Sequence, residues 1–180
     1  MERIFSQYQV SLIRQRMTKE DGFATEEEAR AFGDNACGAA CVKMVLEALG
    51  RTDVPSVKEL MEEGIRSGFY VEPAGWIHKG LVRLTERYGT VARRLNIKKY
   101  PLELGNAIKE GGLVIASVSL EFNPEKRGGH LVVVHGIEFE GDTLKKVYFR
   151  DPSGFGQIHS DINGESFLKS WTGNIVIVHE

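Results

Sequence analysis

The hydrophobic pattern of this chain changes period once, close to residue 113, and this change constrains the fold more than any other feature. Before residue 113, apolar side chains recur every three or four residues between capping and turn residues, which is typical of amphipathic helices. After it come segments rich in β-branched and aromatic residues, bounded by Gly, Asp, Asn and Pro: LVIASVSLEF, HLVVVHGIEFE, TLKKVYFRD and NIVIVHE. Helices followed by an antiparallel meander predict an α+β fold.

Glycine, proline and capping residues divide the helical part into separate elements. Helices are predicted over 37–49, 56–68, 74–88 and 101–110, with a helical turn or two around 26–31. Ser56 and Glu59 have the spacing of a capping box, and Asp34 or Asn35 is expected to cap the helix that starts at 37. The segment VSLIR at 10–14 is predicted to be a short strand.

Length and charge narrow the class of protein. The 180 residues, of which 42% are hydrophobic, suit a single domain over 1–180. A formal net charge of −2 without a long Lys/Arg run gives no reason to expect a nucleic-acid partner. No apolar stretch is long enough for a membrane helix, and the N-terminus lacks the apolar centre of a signal peptide. We therefore expect a cytoplasmic protein, or a secreted one if a signal peptide was removed; the oligomeric state is not predicted.

Two cysteines lie in the helix over 37–49, and one of them is a candidate nucleophile. Cys37 opens the helix, where the macrodipole and unpaired N–H groups favour the reactive thiolate. Its own N–H is a candidate oxyanion donor, and Gly38 would let a substrate approach the backbone. Cys41 lies within the apolar stripe and is expected to be an unreactive core residue. The alternative for Cys37 is that it is also a small apolar residue.

A cysteine nucleophile requires a base, and the segment GGHLVVVHG offers two histidines. His130 begins a strand directly after two glycines, where its ring can face a cleft. His135 follows five positions later and therefore points to the opposite face of the sheet, because side chains alternate along a strand. We select His130 as the candidate base; the alternative is a structural histidine.

Asp151 is the candidate for the group that orients this base. It ends the strand TLKKVYFRD, which the turn EGDT joins to the His130 strand as an antiparallel hairpin. Because a hairpin returns the chain to where it began, Asp151 is predicted to lie beside His130. The alternative is that DPSG at 151–154 is only a type I turn that opens with Asp.

The segments NACGAACVKMVLEALG, GGHLVVVHGIE and VYFRDPSG resemble, in order and spacing, the motifs of a known family. They are similar to those of the papain-like cysteine peptidases of the bacteriocin-processing type, the double-glycine leader peptidases, and more closely to those of their stand-alone relatives. The resemblance implies a papain-like α+β fold in which the nucleophile helix packs on the C-terminal antiparallel sheet. It also implies Cys37 as nucleophile, His130 as base and acid, and Asp151 as the orienting residue.

The resemblance further implies a glutamine upstream of the cysteine that donates to the oxyanion. Gln15 is the candidate, and Asn35, which lies nearer to Cys37 in the sequence, is the alternative. Gly38 and the pair at 128–129 are expected to leave room for an extended peptide across the cleft.

These residues predict a thiol hydrolase that cleaves a peptide or amide bond, such as a processing peptidase. The alternatives are a non-catalytic peptide-binding module of the same fold, and an amidase or acyltransferase that uses the same three residues. The expected partner is a peptide or protein substrate. No metal or cofactor is expected, because the histidines and cysteines have no zinc-site spacing and the sequence has no phosphate-binding loop. Trp76 and Trp171 are expected in the core.

Overall fold

The structure is a computed structural model that describes residues 1–126 and 129–180. Its helices are α1 (Glu26–Asp34), α2 (Cys37–Ala48), α3 (Val57–Arg66), α4 (His78–Glu86), α5 (Glu103–Lys109) and α6 (Gly164–Ser170). Its strands are β1 (Glu2–Phe5), β2 (Tyr70–Val71), β3 (Gly75–Trp76), β4 (Val91–Asn96), β5 (Leu113–Ser119), β6 (Gly129–Glu140), β7 (Thr143–Arg150), β8 (Asp161–Asn163) and β9 (Trp171–His179). Short 3-10 helices lie at Lys19–Asp21, Leu120–Phe122 and Gly154–Gln157.

The large sheet is antiparallel and has the strand order β4-β9-β5-β6-β7-β8. Two strands share one edge of β6: β5 pairs with residues 129–134, and β1 pairs with residues 136–139. β7 runs along the other edge, joined to β6 by the predicted turn, in which Gly141 has a φ of +57°. The helical N-terminal half and this sheet confirm the predicted α+β class.

Helices cover both faces of the sheet. Side chains alternate along each strand, and the apolar ones on each face pack against helices. On one face, Leu131 and Val133 pack with apolar residues of α2, α3 and α4. On the other face, Val132 and Val134 pack with residues of α5 and α6. α2 is apolar on nearly all sides and lies between β6, α3 and α4, as expected of a helix that is enclosed by its neighbours. The helix that begins at Cys37 therefore packs on the sheet, as predicted.

The predicted cap of α2 is wrong. Asp34 is the last residue of α1 and Asn35 is its C-cap, so neither caps the next helix. The N-cap of α2 is Ala36, whose side chain makes no capping hydrogen bond. The two helices follow one another almost directly, and the first N–H groups of α2 are left without a side-chain cap.

The strand predicted at 10–14 is also wrong. Among the described residues, this segment pairs with no strand, and β1, earlier in the chain, takes the edge of β6 that continues beyond β5. Single hydrogen bonds hold the segment against the end of β7: Arg150 Nε donates to the carbonyl of Val10 at 3.0 Å, and the Gln15 N–H donates to the carbonyl of Pro152 at 2.9 Å. The segment therefore carries Gln15 towards the residues that follow β7.

The remaining helices begin close to their predicted positions, with one informative exception. α3 begins after Ser56, and the capping box with Glu59 is confirmed. α4 begins at His78 instead of residue 74, because Gly75–Trp76 pair with Tyr70–Val71 in a small separate hairpin. α6 and the short strands β1, β4 and β8 were not predicted.

Candidate active site

Cys37 lies at the junction of α1 and α2. It is the first residue of α2 and is 7% exposed. Its N–H makes no hydrogen bond to any of the residues that the structure describes, and it is therefore free to bind an anion. Cys41, one turn further on, is fully buried; burial, followed by the negative charges of Cys37 and Asp151, raises the pKa of its thiol well above the ordinary value. Of the two cysteines, only Cys37 borders the cleft described below.

His130 lies on β6, directly after its first residue, and is 4% exposed. Its Nε2 is 2.7 Å from Asp151 Oδ1, and the Cys37 thiol is close enough to influence the ring. Burial alone would lower the pKa of the imidazole, but the hydrogen bond with Asp151 and the proximity of Cys37 outweigh it and raise this pKa above the ordinary value. The structure thus brings together the three side chains that the sequence predicts, in the order thiol, imidazole, carboxyl.

Asp151 is fully buried and follows the last residue of β7. Its Oδ1 accepts hydrogen bonds from two donors, His130 and the N–H of Ser153, the latter at 2.8 Å. Burial would raise the pKa of this carboxyl, but the hydrogen bonds from His130 and Ser153 hold it below the ordinary value. Asp151 is therefore ionised near neutral pH and supports the imidazolium form of His130.

His135 lies apart from this group. It sits at a register shift between β6 and β7, and its Nε2 is buried without a hydrogen-bond partner among the described residues. Burial and the nearby charge of Arg150 lower the pKa of its imidazole to about 4. His135 is therefore neutral at ordinary pH and belongs to the packing of the hairpin.

The two candidate oxyanion donors lie near Cys37, but each has its amide engaged elsewhere. Gln15 is 9% exposed, and its Nε2 donates to the carbonyls of Gly33 and Asp34 at 3.1 Å each. Its Oε1 is buried without a partner among the described residues. Asn35 is exposed, and its Nδ2 donates to the carbonyl of Ala31 at 3.2 Å. Gln15 thus holds the C-terminal end of α1 in place, immediately before Cys37.

A cleft of about 390 Å³ opens at Cys37. One wall is the junction of the helices, at 34–37, and the opposite wall is the β2–β3 hairpin with the start of α4, at 70–78. Ser117, Gly129 and Leu131 contribute from the sheet. Gly129 is exposed, and nothing lies within 4 Å of the place that a Cβ would occupy, whereas its predicted neighbour Gly128 lies outside the described residues.

Trp76 forms much of the cleft wall, and the sequence predicted it only as a core residue. A Cβ on Gly38 would lie 2.4 Å from its ring, and a Cβ on Gly64 would lie 2.6 Å from it, so the indole rests between two glycines of α2 and α3. Its Nε1 donates to the carbonyl of Asn35 at 2.9 Å. The sequence signal for this contact is Gly64, because a glycine inside a helix is unfavourable unless something packs against it.

Gly38→Ala is expected to lower the free energy of unfolding by about 1–3 kcal/mol, because the added methyl group must displace the Trp76 ring. Urea unfolding, together with the tryptophan fluorescence of the native state, measures the effect. Gly129→Ala is the matched control, since its Cβ would stand in open space. Equal stabilities of the two variants would contradict the packing of Trp76 on Gly38.

A sequence model of the Peptidase_C39-like family matches residues 7–174 of the chain. The chain belongs to this family. No curated protein matches the chain. The matched range covers the segments that carry Cys37, His130 and Asp151, and it contains all the residues that line the cleft described above.

Solved structures show the same fold as this Peptidase_C39-like chain. A C39-like peptidase from Bacillus anthracis aligns over 100% of this chain and 98% of its own, at 19% identity and a TM-score of 0.66. A double-glycine motif protease from an AMS/PCAT transporter, solved with the leader peptide, aligns over 99% and 97%, at 22% identity and a TM-score of 0.55. The peptidase domain of Streptococcus ComA, a bifunctional ABC transporter involved in quorum sensing, aligns over 81% and 92%, at 18% identity and a TM-score of 0.57. The fold is therefore papain-like, as predicted.

Over residues 1–126 and 129–180 of this Peptidase_C39-like chain, none of the helices has the length and apolar character needed to cross a membrane. Within the same ranges, no three His, Cys, Asp or Glu side chains come together in a group that could hold a metal ion.

Proposed function

We propose that this protein is a thiol hydrolase that cleaves a peptide or amide bond, with Cys37 as the nucleophile, His130 as the acid and base, and Asp151 as the residue that orients His130. One observation carries the proposal: the His130 ring is hydrogen-bonded to Asp151, at 2.7 Å, and lies beside Cys37, which borders the cleft. A cysteine nucleophile requires a base with which to exchange a proton, and that base requires a group that fixes its tautomer.

In the first half of the reaction, the Cys37 thiolate attacks the carbonyl carbon of the scissile bond. Because Nε2 of His130 donates to Asp151, Nδ1 is the nitrogen that exchanges a proton with the reacting groups. Protonated His130 gives its Nδ1 proton to the leaving amine as the C–N bond breaks. The acyl group stays on Cys37 as a thioester, and His130 is left neutral.

In the second half, a water molecule attacks the thioester carbonyl. Neutral His130 takes a proton from this water as the C–O bond forms, and the C–S bond then breaks. The acid product leaves, and the thiolate and the protonated imidazole are restored. Asp151 stays ionised throughout and stabilises the cation in the resting enzyme.

The tetrahedral intermediates carry a negative oxygen that requires hydrogen-bond donors. The N–H of Cys37 is one proposed donor, since it points out of the start of α2 with no partner among the described residues. Gln15 is the proposed second donor. It would release the carbonyl of Gly33 or Asp34 when substrate binds, and Asn35, as the alternative, would release that of Ala31.

A peptide is the proposed substrate. The open surface at Gly129 leaves room for an extended backbone beside the first residues of β6. The related double-glycine motif protease was solved with the leader peptide, and by analogy we propose a processing peptidase that cleaves within an extended segment. This extended segment of the substrate would lie across Cys37, between the two walls of the cleft.

The test is the rate at which iodoacetamide alkylates the native protein between about pH 5 and about pH 9. We expect Cys37 to react at least about tenfold faster than a free thiol such as glutathione near pH 6, because His130 stabilises the thiolate. Cys41 is the internal control and should remain unlabelled until the protein unfolds. Slow and equal labelling of both cysteines would favour the peptide-binding module, and cleavage of simple amides without cleavage of peptides would favour the amidase.

A further inference from the structure

The side chains that border the cleft give it a negative charge. Asp34 and Glu72 face it from opposite walls, and neither forms an ion pair with any residue in the described part of the chain. His78 also borders the cleft, but burial and the charge of Arg94 lower the pKa of its imidazole, which keeps it neutral. Over the described residues, the cleft is therefore lined by carboxylates without a lysine or arginine to balance them.

The wall that carries Glu72 is also built of aromatic rings. The Tyr70 hydroxyl donates to Glu72 Oε1 at 2.7 Å, which holds the carboxylate against the cleft. Tyr70 and Trp76 pack edge to face, with ring centroids 5.6 Å apart. Aromatic faces beside carboxylates attract ammonium and guanidinium groups, because the ring quadrupole and the negative charge act in the same direction.

The sheet side of the cleft adds an independent observation. Ser117 is 7% exposed and borders the cleft, yet its hydroxyl makes no hydrogen bond to any residue that the structure describes. It sits at a register shift between β5 and β9, where its carbonyl accepts a hydrogen bond from the Thr172 hydroxyl at 3.2 Å. The hydroxyl oxygen of Ser117 therefore has a lone pair available on the cleft side of the sheet, where a donor group of a ligand can bind.

From these three observations we propose that the cleft selects a substrate with a cationic group close to the scissile bond, either a Lys or Arg side chain or a free α-amino group. Asp34 and Glu72 supply the charge, Tyr70 and Trp76 the aromatic wall, and the Ser117 hydroxyl oxygen accepts a hydrogen bond from the cation. This inference rests on the proposed function, since it names the substrate class of the same site. Ion pairs at exposed carboxylates such as these contribute modestly, so we expect about a threefold effect for each carboxylate.

The test uses two small thiol reagents of opposite charge, so that it does not require the natural substrate. Methanethiosulfonates that carry a trimethylammonium group or a sulfonate group are reacted with Cys37 in a Cys41→Ala background. The ratio of the two rate constants is divided by the same ratio for 2-mercaptoethanol, which removes the intrinsic preference of a thiolate. We expect a normalised preference of about tenfold for the cationic reagent, falling towards one as salt is raised from about 0.01 M to about 1 M.

Glu72→Gln and Asp34→Asn are each expected to reduce the normalised preference about threefold. Glu20→Gln and Asp53→Asn, which remove exposed carboxylates outside the cleft, are the matched controls and should leave it unchanged. Rapid labelling with a preference near one, insensitive to salt and to both cleft variants, would overturn the inference and leave the thiol hydrolase intact. Failure of both reagents to modify Cys37 would overturn the proposed function together with the inference. Where a variant folds poorly, the salt series on the protein with an unsubstituted cleft still tests the inference, because a preference that does not fall with salt contradicts an electrostatic origin.

Peptide substrates then separate the two sources of the cation. Peptides with a lysine, a norleucine or a glutamate near the scissile bond are compared, each with a free and with an acetylated N-terminus. A higher kcat/KM for lysine, kept on acetylation, assigns the preference to a side chain. A preference lost on acetylation assigns it to the α-amino group. Equal values for all the peptides would contradict a cationic substrate class.

Discussion

Replacing Cys37 with alanine is expected to lower peptide turnover by at least about 10³-fold while the fold stays intact. The reason is that the acyl group has no other acceptor: Cys41 is fully buried, and its pKa is raised well above the ordinary value. The free energy of unfolding should change by about 1 kcal/mol or less, because only a sulfur at the edge of the cleft is removed. Turnover of a peptide library with wild type and Cys37→Ala side by side measures the effect.

Cys41→Ala is the matched control, because it removes a sulfur from the same helix without touching the cleft. It should keep turnover close to that of the wild type and lose some stability. Substantial turnover in Cys37→Ala, or equal losses in the two variants, would remove Cys37 from the mechanism.

Asp151→Asn is expected to slow turnover by about 10²-fold and to change its pH dependence. Together with Cys37, the Asp151 carboxylate holds the pKa of His130 above the ordinary value. Loss of this charge lowers that pKa, so protonated His130, the proposed acid for the leaving amine, is lost at a lower pH. The upper limb of the profile of kcat/KM against pH should therefore move to lower pH.

A full pH profile of wild type and Asp151→Asn separates this role from a merely structural one. If Asp151 only stabilised the turn at 151–154, the variant would lose stability and its upper limb would stay in place. An unchanged rate and an unchanged profile would exclude Asp151 from the mechanism. Urea unfolding of both proteins, at a pH where each is fully folded, supplies the stability that the comparison requires.

The proximity of His130 and Asp151 could be predicted from the sequence, because an antiparallel hairpin places the end of its second strand beside the start of its first. Alternation along β6 separates His130 from His135, and the turn at Gly141 returns the chain so that Asp151 lies beside His130. The position of Cys37 at a helix start followed from its apolar stripe alone. These features depend on local periodicity, which a single sequence displays.

The errors concern features that depend on the neighbouring elements, in sequence or in space. Asn35 has a good capping side chain, but α1 continues to Asp34, and Asn35 ends that helix instead of starting the next. The segment at 10–14 has the composition of a strand, but the open edge of β6 was already filled by β1. The place of Trp76 in the cleft depends on two glycines in different helices. None of these outcomes could be derived from the pattern of the segment itself.

The thiol and the imidazole reach each other from opposite layers of the protein: Cys37 comes from the helices and His130 from the sheet, and the apolar contacts of Leu131 and Val133 with the helices join the two layers. A slight separation of these layers would part the sulfur from the ring before any helix or strand melted. Loss of turnover is therefore expected to precede loss of secondary structure on mild denaturation. Activity would then measure how closely the helical layer packs against the sheet.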